Sequence, residues 1–163
     1  MTLLPAAQGN QKEPYGALMI DAVTQPDTAK PEVRRVYSMA ITSLDDRDRG
    51  RPSAWSAAVD ELASDVLGER ANPRLIVVSA GNADKNQATH YPHNTTTDGI
   101  HDPAQAWNAL CVGAYTQKFT IDPPNPGLRP IAAAGSLSPY STTSGTWTNS
   151  AWPLKPDVVF EGG

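Results

Sequence analysis

The residues best placed for chemistry are Ser79, Ala80, Gly81 and Asn82, which directly follow the apolar run at residues 75–78. Gly81 would let a substrate backbone pass closely, because it carries no side chain. Asn82 could then direct an amide N–H at an oxygen atom that gains negative charge during a reaction. A simple turn is the alternative, because Gly and Asn are favoured turn residues, and spacing alone favours that alternative.

Other groups that could form a catalytic set are scattered along the chain. A nucleophile needs a base within hydrogen-bond reach and a third group that orients the base, and spacing does not show this geometry. The histidines could instead bind zinc, since His-x-x-His with a third ligand is a conceivable site. We expect solvent-exposed histidines without a metal. The groups in question are Ser79, Ser141, Asp84, Asp102, His90, His93 and His101.

Composition excludes several classes of partner. The net charge of −4 provides no basic surface, so neither nucleic acid nor an anionic membrane is expected to bind, and no run approaches the roughly 18 apolar residues that span a bilayer. Residues 1–16 lack the pattern of a signal peptide, which slightly favours the cytoplasm. Cys111 is the only cysteine and lies in an apolar run, so we expect a core residue. No motif calls for a cofactor.

The first third of the chain predicts a helix, a strand and a loop. Residues 13–23 have the apolar spacing of one helix face, and we expect Pro26 and Pro31 to end this helix. Residues 34–42 then predict a strand that ends near Thr42. Residues 45–52 are highly charged, which is typical of a solvated loop.

The next segment predicts a second helix and a buried strand. Ser53 is a suitable N-cap, and Gly68 is a plausible stop. Residues 75–79 form the following strand, and their continuous apolar run is typical of a strand covered on both faces. Two strands joined through a helix are expected to lie parallel. The apolar stripe of the helix comprises Trp55, Val59, Leu62 and Val66.

The remaining residues predict mainly irregular structure with two further strands. Residues 83–102 are a polar loop, and Asp102, Pro103 and Gln105 have the pattern of a short helix start. Residues 110–115 and 155–160 predict strands, and residues 118–139, rich in Pro, Gly and Asn, predict a long connection. Tyr140, Trp147 and Trp152 favour a packed hairpin over residues 138–153. Alternating helices and strands indicate an α/β fold with a mostly parallel sheet.

Several segments resemble, in the correct order, the subtilisin-like serine peptidases, the S8 family of subtilases. VVSAGN is similar to the oxyanion-hole motif of that family. PAQAWNALCVGAYT is similar to its short helix and Val-Gly-Ala strand, SPYSTTSG to the polar turn that follows, and KPDVVFEGG to the segment before the nucleophile. RRVYSMAITS resembles the strand whose end forms one wall of the pocket for the P1 side chain of the substrate. The similarity covers residues 33–163.

The resemblance implies a three-layer α/β/α fold, here incomplete, and peptide-bond hydrolysis through an acyl-enzyme. It implies that Asn82 is the oxyanion donor. It also implies two walls of the P1 pocket, the first made of Ala40, Ile41 and Thr42 and the second of Ser79, Ala80 and Gly81.

The sequence also departs from the family pattern. The Asp-Ser/Thr-Gly, His-Gly-Thr and Gly-Thr-Ser segments that carry the catalytic triad do not occur, and Phe160, Glu161 and Gly162 stand where Ala-Pro-Gly is common. We therefore interpret residues 1–163 as part of a catalytic domain, between the expected catalytic histidine and serine.

Two functions remain open. The first is a fragment of a serine endopeptidase that is inactive alone, takes peptide or protein substrates and self-associates through exposed edges. The second is a non-catalytic α/β binding module or pseudo-peptidase.

Overall fold

The described part of the chain contains two helices and four strands. The structure is a computed structural model that describes residues 15–43, 50–69, 71–84, 86 and 88–162. In chain order the elements are α1 (Tyr15–Ala29), β1 (Val36–Met39), α2 (Ala54–Ser64), β2 (Leu75–Ser79), β3 (Leu110–Tyr115) and β4 (Val158–Glu161). Short 3-10 turns lie at Ala88–His90, His93–Thr96 and Ser144–Thr146. The described residues contain no helix long and apolar enough to cross a bilayer.

The strands form a parallel sheet in the order β1-β2-β3-β4. Val78 occupies the centre, paired with Met39 on one side and Cys111 on the other. This arrangement confirms the predicted parallel sheet, and together with the helices beside the sheet it is consistent with the incomplete three-layer α/β/α, subtilisin-like class. All four strands run the same way, so their carboxyl ends meet at one edge of the sheet.

One face of the sheet packs against both helices. Ile76 and Val78 are fully buried, whereas Leu75 is 49% exposed, because side chains alternate between faces along a strand. The expectation that this strand is covered on both faces is therefore wrong for the structure described. The core shared by the sheet and the helices includes Met19, Val23, Met39, Trp55, Val59, Leu62, Ile76, Val78 and Cys111.

The opposite face, which we call the far face, carries large apolar side chains. Val36 and Leu75 are register partners and therefore lie on one face, and both are exposed. Val158 and Phe160 continue this face on β4, and Phe160 is 64% exposed. The far face is thus an apolar surface that solvent reaches.

Helix α2 begins as predicted but ends earlier. Ser53 accepts a hydrogen bond from the backbone of Ser56, and the Ser56 hydroxyl accepts one from the backbone of Ser53, which completes a reciprocal cap. At the other end Asp65, with φ of 50°, is the cap, so the expected stop at Gly68 is wrong. Val66 lies beyond the helix and is 55% exposed, so it is not part of the apolar stripe.

Helix α1 continues past Pro26, contrary to the prediction, and ends at Ala29. The carboxylate of Asp27 accepts hydrogen bonds from the Tyr37 hydroxyl at 2.6 Å and from Nε of Arg74 at 2.6 Å. These contacts tie the last helical turn to β1 and to the start of β2, which offsets the backbone hydrogen bond that proline removes. Residues 13–14 of the predicted helix lie outside the described residues.

Strand β1 is shorter than predicted, ending at Met39 instead of near Thr42. Beyond it the backbone of Ser43 pairs with Asp102, so the chain turns away from β2 at this point. Of the predicted charged loop at 45–52, residues 44–49 lie outside the described residues.

The predicted helix start at Asp102 is wrong, because residues 103–105 form turns. The Asp102 carboxylate accepts hydrogen bonds from the Ser53 hydroxyl at 2.6 Å and from the Gln105 side chain at 3.3 Å. The carboxylate thus connects this turn to the start of α2.

Residues 138–153 are packed, but they do not form the predicted hairpin. Ser141 and Thr143 make backbone bridges to Asn82 and Gly99, so this segment closes over the loop that follows β2. The rings of Trp147 and Trp152 pack edge to face, with centroids 6.1 Å apart.

The two strands predicted at residues 110–115 and 155–160 are both present as β3 and β4, and β4 begins three residues later than expected, at Val158. As predicted, a long irregular connection separates them.

A buried lysine anchors the start of β4. The side chain of Lys155 is fully buried, and its Nζ donates to the Ala109 carbonyl at 2.9 Å and to the Asp157 carboxylate at 2.7 Å. The same carboxylate accepts the backbone N–H of Cys111 at 2.7 Å. Lys155 and Asp157 therefore fix the start of β4 against β3 by hydrogen bonds.

Candidate functional site

The turn after β2 brings the candidate donor to the carboxyl edge of the sheet. Gly81 has a φ of +112°, in the region that favours glycine, and Asn82 follows it as an exposed residue. The backbone of Asn82 bridges to Ser141, and the Ala83 N–H donates to the Tyr140 carbonyl at 2.8 Å. The Asn82 side chain makes no hydrogen bond within the described part of the chain. Its backbone is therefore held while its amide is exposed.

The first wall lies beyond the end of β1. Ala40 is exposed, and Ile41 and Thr42 are half-buried. Ile41 packs against the core, which fixes the backbone of the wall. The Thr42 hydroxyl lies 3.3 Å from Nδ1 of His101. Ala40 is therefore the exposed residue of this wall, whereas the side chain of Ile41 packs on the core and that of Thr42 contacts His101.

The second wall is anchored to β3 and to two later segments. Ala80 is 1% exposed, and its N–H donates to the Val112 carbonyl at 2.9 Å. The Ala80 carbonyl accepts the His101 N–H at 3.0 Å and the Thr142 hydroxyl at 2.7 Å. Ser79 and Gly81 on either side are half-buried. A backbone held by three hydrogen bonds is a rigid support for the neighbouring Asn82.

The sheet register places these predicted residues together. Met39 and Val78 are partners at the last ladder position of β1, so the two walls leave neighbouring strands at the same edge. Asn82 lies at the end of the second wall. The structure thus groups the candidates from both strands.

The sequence did not reveal that His101 and Asp102 belong to this site. Both are 3% exposed, and both hydrogen-bond to residues at the edge where the walls lie. In the sequence they are two members of a dispersed set of polar residues. The signal that could have found them is the short apolar-polar sequence Gly-Ile-His-Asp at the end of a polar loop, which indicates a segment returning to the core.

The other proposed catalytic groups are not assembled in this way. His90 and His93 are exposed on the loop after β2, whereas His101 is buried, so the three histidines do not share one environment. Ser141 is 3% exposed, and its hydroxyl accepts the backbone N–H of Ala114 at 3.1 Å, which indicates a structural role. Asp84 is exposed. Among the described residues no three His, Cys, Asp or Glu side chains are grouped to hold a metal ion.

Cys111 is fully buried in β3. Burial raises the pKa of its thiol to about 12, although the nearby charge of Lys155 acts in the opposite direction. Because the thiolate is the reactive form, this cysteine is not a nucleophile near neutral pH. The expectation of a core residue is confirmed.

Comparison with known proteins identifies the family of this chain. The model of the subtilase family, Peptidase_S8, matches residues 1–163, which is the entire chain. A search of curated proteins gives no match. Membership of this family supports a serine peptidase-like function. On the strength of the family match, and with a parallel sheet whose carboxyl edge carries Ser-Ala-Gly-Asn, the chain belongs to the subtilase family.

Proposed function

We propose that this chain forms one side of the active-site cleft of a subtilisin-like serine endopeptidase. The observation that carries the proposal is the position of Asn82. It is exposed at the carboxyl edge of the sheet, follows a glycine with φ of +112°, and sits on a backbone pinned to β3 and to Ser141. In this proposal the Asn82 amide donates to the oxyanion, and the two walls hold the P1 side chain.

The chemistry requires such a donor. A serine oxygen attacks the scissile carbonyl carbon, and a histidine takes the serine proton. The C–N bond then breaks and the amine leaves with that proton, after which water cleaves the resulting ester. Each step passes through a tetrahedral oxyanion. A fixed amide N–H stabilises this charge more than it stabilises the neutral carbonyl of the bound substrate.

The remaining catalytic groups are proposed to lie outside these 163 residues. The sequence contains no Asp-Ser/Thr-Gly, His-Gly-Thr or Gly-Thr-Ser segment. In this proposal the chain is the portion of the catalytic domain between the histidine and the serine. It supplies the oxyanion donor and the pocket walls, and peptide or protein chains are the substrates.

The test uses the full-length protein that carries this chain. A fluorophosphonate probe, which reacts with activated serines, is expected to label it at one serine beyond residue 163, and casein is expected to be cleaved. Substitution of that serine by alanine is the control and should abolish both signals. Absence of labelling and cleavage in a folded full-length protein would contradict the proposal and favour the non-catalytic binding module.

A further inference from the structure

A short segment, which we call the floor segment, lies between the two walls. It consists of His101 and Asp102. Asp102 exchanges two backbone hydrogen bonds with Ser43, directly after the first wall, at 2.8 and 3.2 Å. The His101 N–H donates to Ala80 of the second wall at 3.0 Å. The backbone of the floor segment is therefore bonded to the second wall and to the residue that follows the first wall.

The side chain of His101 reaches both walls. Its Nδ1 lies 3.3 Å from the Thr42 hydroxyl of the first wall. On the second wall its ring lies so near Gly81 that a Cβ added there would stand 2.2 Å from Cγ of the imidazole. The ring is buried, since the residue is only 3% exposed. The buried imidazole therefore lies between Thr42 of the first wall and Gly81 of the second.

Further hydrogen bonds hold the floor segment in place. The buried Asp102 carboxylate accepts the Ser53 hydroxyl at 2.6 Å, which ties it to the start of α2. Thr142 donates to the same Ala80 carbonyl that accepts from His101. Moving the floor to admit a large side chain would break these buried hydrogen bonds, each of which is costly to leave unmade.

We propose that His101 is the specificity-determining floor of the P1 pocket and restricts the enzyme to peptides with small P1 side chains, such as alanine or serine. This inference rests on the proposed function and adds the class of substrate. A bulky P1 side chain would meet the imidazole before it could be fully buried, whereas a small one would be enclosed by Ala40, Gly81 and the ring.

The experiment measures kcat/KM of the full-length peptidase on peptides that differ only at P1, with alanine, leucine or phenylalanine. We expect the alanine peptide to be preferred over the phenylalanine peptide by about 100-fold, within the range that pocket size alone provides. In His101→Ala the preference should fall by about tenfold or more, with a gain in kcat/KM for phenylalanine. His93→Ala, at an exposed histidine of the preceding loop, is the matched control and should leave the ratio unchanged.

The ratio is measured within each variant, so a general loss of activity does not change it. If His101→Ala does not fold, His101→Asn removes part of the ring and keeps a polar group beside Thr42, and it should shift the ratio in the same direction. A wild-type enzyme that cleaves the phenylalanine peptide as well as the alanine peptide would overturn the inference. So would an unchanged ratio in the floor variants. A folded protein that neither cleaves any peptide nor reacts with fluorophosphonate would overturn the proposed function as well, a result readily told apart from altered selectivity.

Discussion

Gly81→Ala tests how tightly the turn that bears Asn82 is fixed. Two costs apply to this substitution. Alanine at a φ of +112° adopts a sparsely populated backbone conformation, which costs about 1–3 kcal/mol. Its Cβ would also stand 2.2 Å from Cγ of His101, and overpacking of this kind costs a further amount of about 1–3 kcal/mol. The expected destabilisation is therefore about 2–6 kcal/mol, a large part of the roughly 5–15 kcal/mol that stabilises a domain.

Gly135→Ala separates the two costs. Gly135 has a φ of +77°, yet a Cβ added there meets nothing within 4 Å. Gly135→Ala should therefore be destabilised only by the cost of the unfavourable backbone conformation. Any gain from a less flexible unfolded chain applies to both variants and cancels in the comparison.

Urea unfolding followed by tryptophan fluorescence measures these differences. Gly81→Ala should be less stable than Gly135→Ala by about 1–3 kcal/mol, the overpacking contribution. In a His101→Ala background that extra cost should disappear, since the ring that causes it is gone. Equal destabilisation by the two glycine substitutions, or an extra cost that survives removal of the ring, would refute the packing of His101 beneath Gly81.

The isolated chain should not hydrolyse casein or react with a fluorophosphonate, because its sequence contains none of the three segments that carry the family's catalytic triad; labelling that persists after contaminating peptidases are removed would contradict this. The exposed far face should promote self-association, which Val36→Lys with Phe160→Lys should reduce in size-exclusion chromatography with light scattering; a wild-type monomer at high concentration would count against it. Burial alone would raise the pKa of Asp27, but hydrogen bonds from Tyr37 and Arg74 and nearby positive charges lower it below 3.8. Because the pKa of Asp27 is lower in the folded state than in the unfolded state, its ionised form stabilises the fold at pH values above the ordinary pKa of Asp. The free energy of unfolding of the wild type should therefore exceed that of Asp27→Asn by less and less as the pH falls below about 4. A difference between the two that does not change with pH would be inconsistent with this prediction.

Local signals in the sequence predicted much of the fold. The strand at residues 75–79 and the helix that begins after Ser53 have clear apolar patterns and a good cap, and these features depend on residues close in sequence. The family motifs that predict Asn82 and the two walls are likewise short continuous segments of the sequence.

Long-range contacts explain what the sequence did not reveal. The end of α1 depends on Asp27, whose partner Arg74 lies 47 residues away, so the proline signal at Pro26 was misleading. His101 and Asp102 became part of the site through hydrogen bonds to Thr42 and Ser53, 59 and 49 residues away. The apparent helix start at Asp102 and the apparent hairpin at residues 138–153 failed similarly, because distant segments took up their polar groups.

Kinetics of Asn82→Ala in the full-length protein measure whether the Asn82 amide is the oxyanion donor. We expect kcat to fall by roughly 100- to 1000-fold with little change in KM, a magnitude carried over from removal of one oxyanion donor in subtilisin, a member of the same family. Asn82→Asp should be at least as harmful, because a carboxylate repels the developing negative charge. If Asn82→Ala kept a near-normal kcat, or raised KM while kcat stayed intact, Ser-Ala-Gly-Asn would be only a turn and the proposed function would be contradicted.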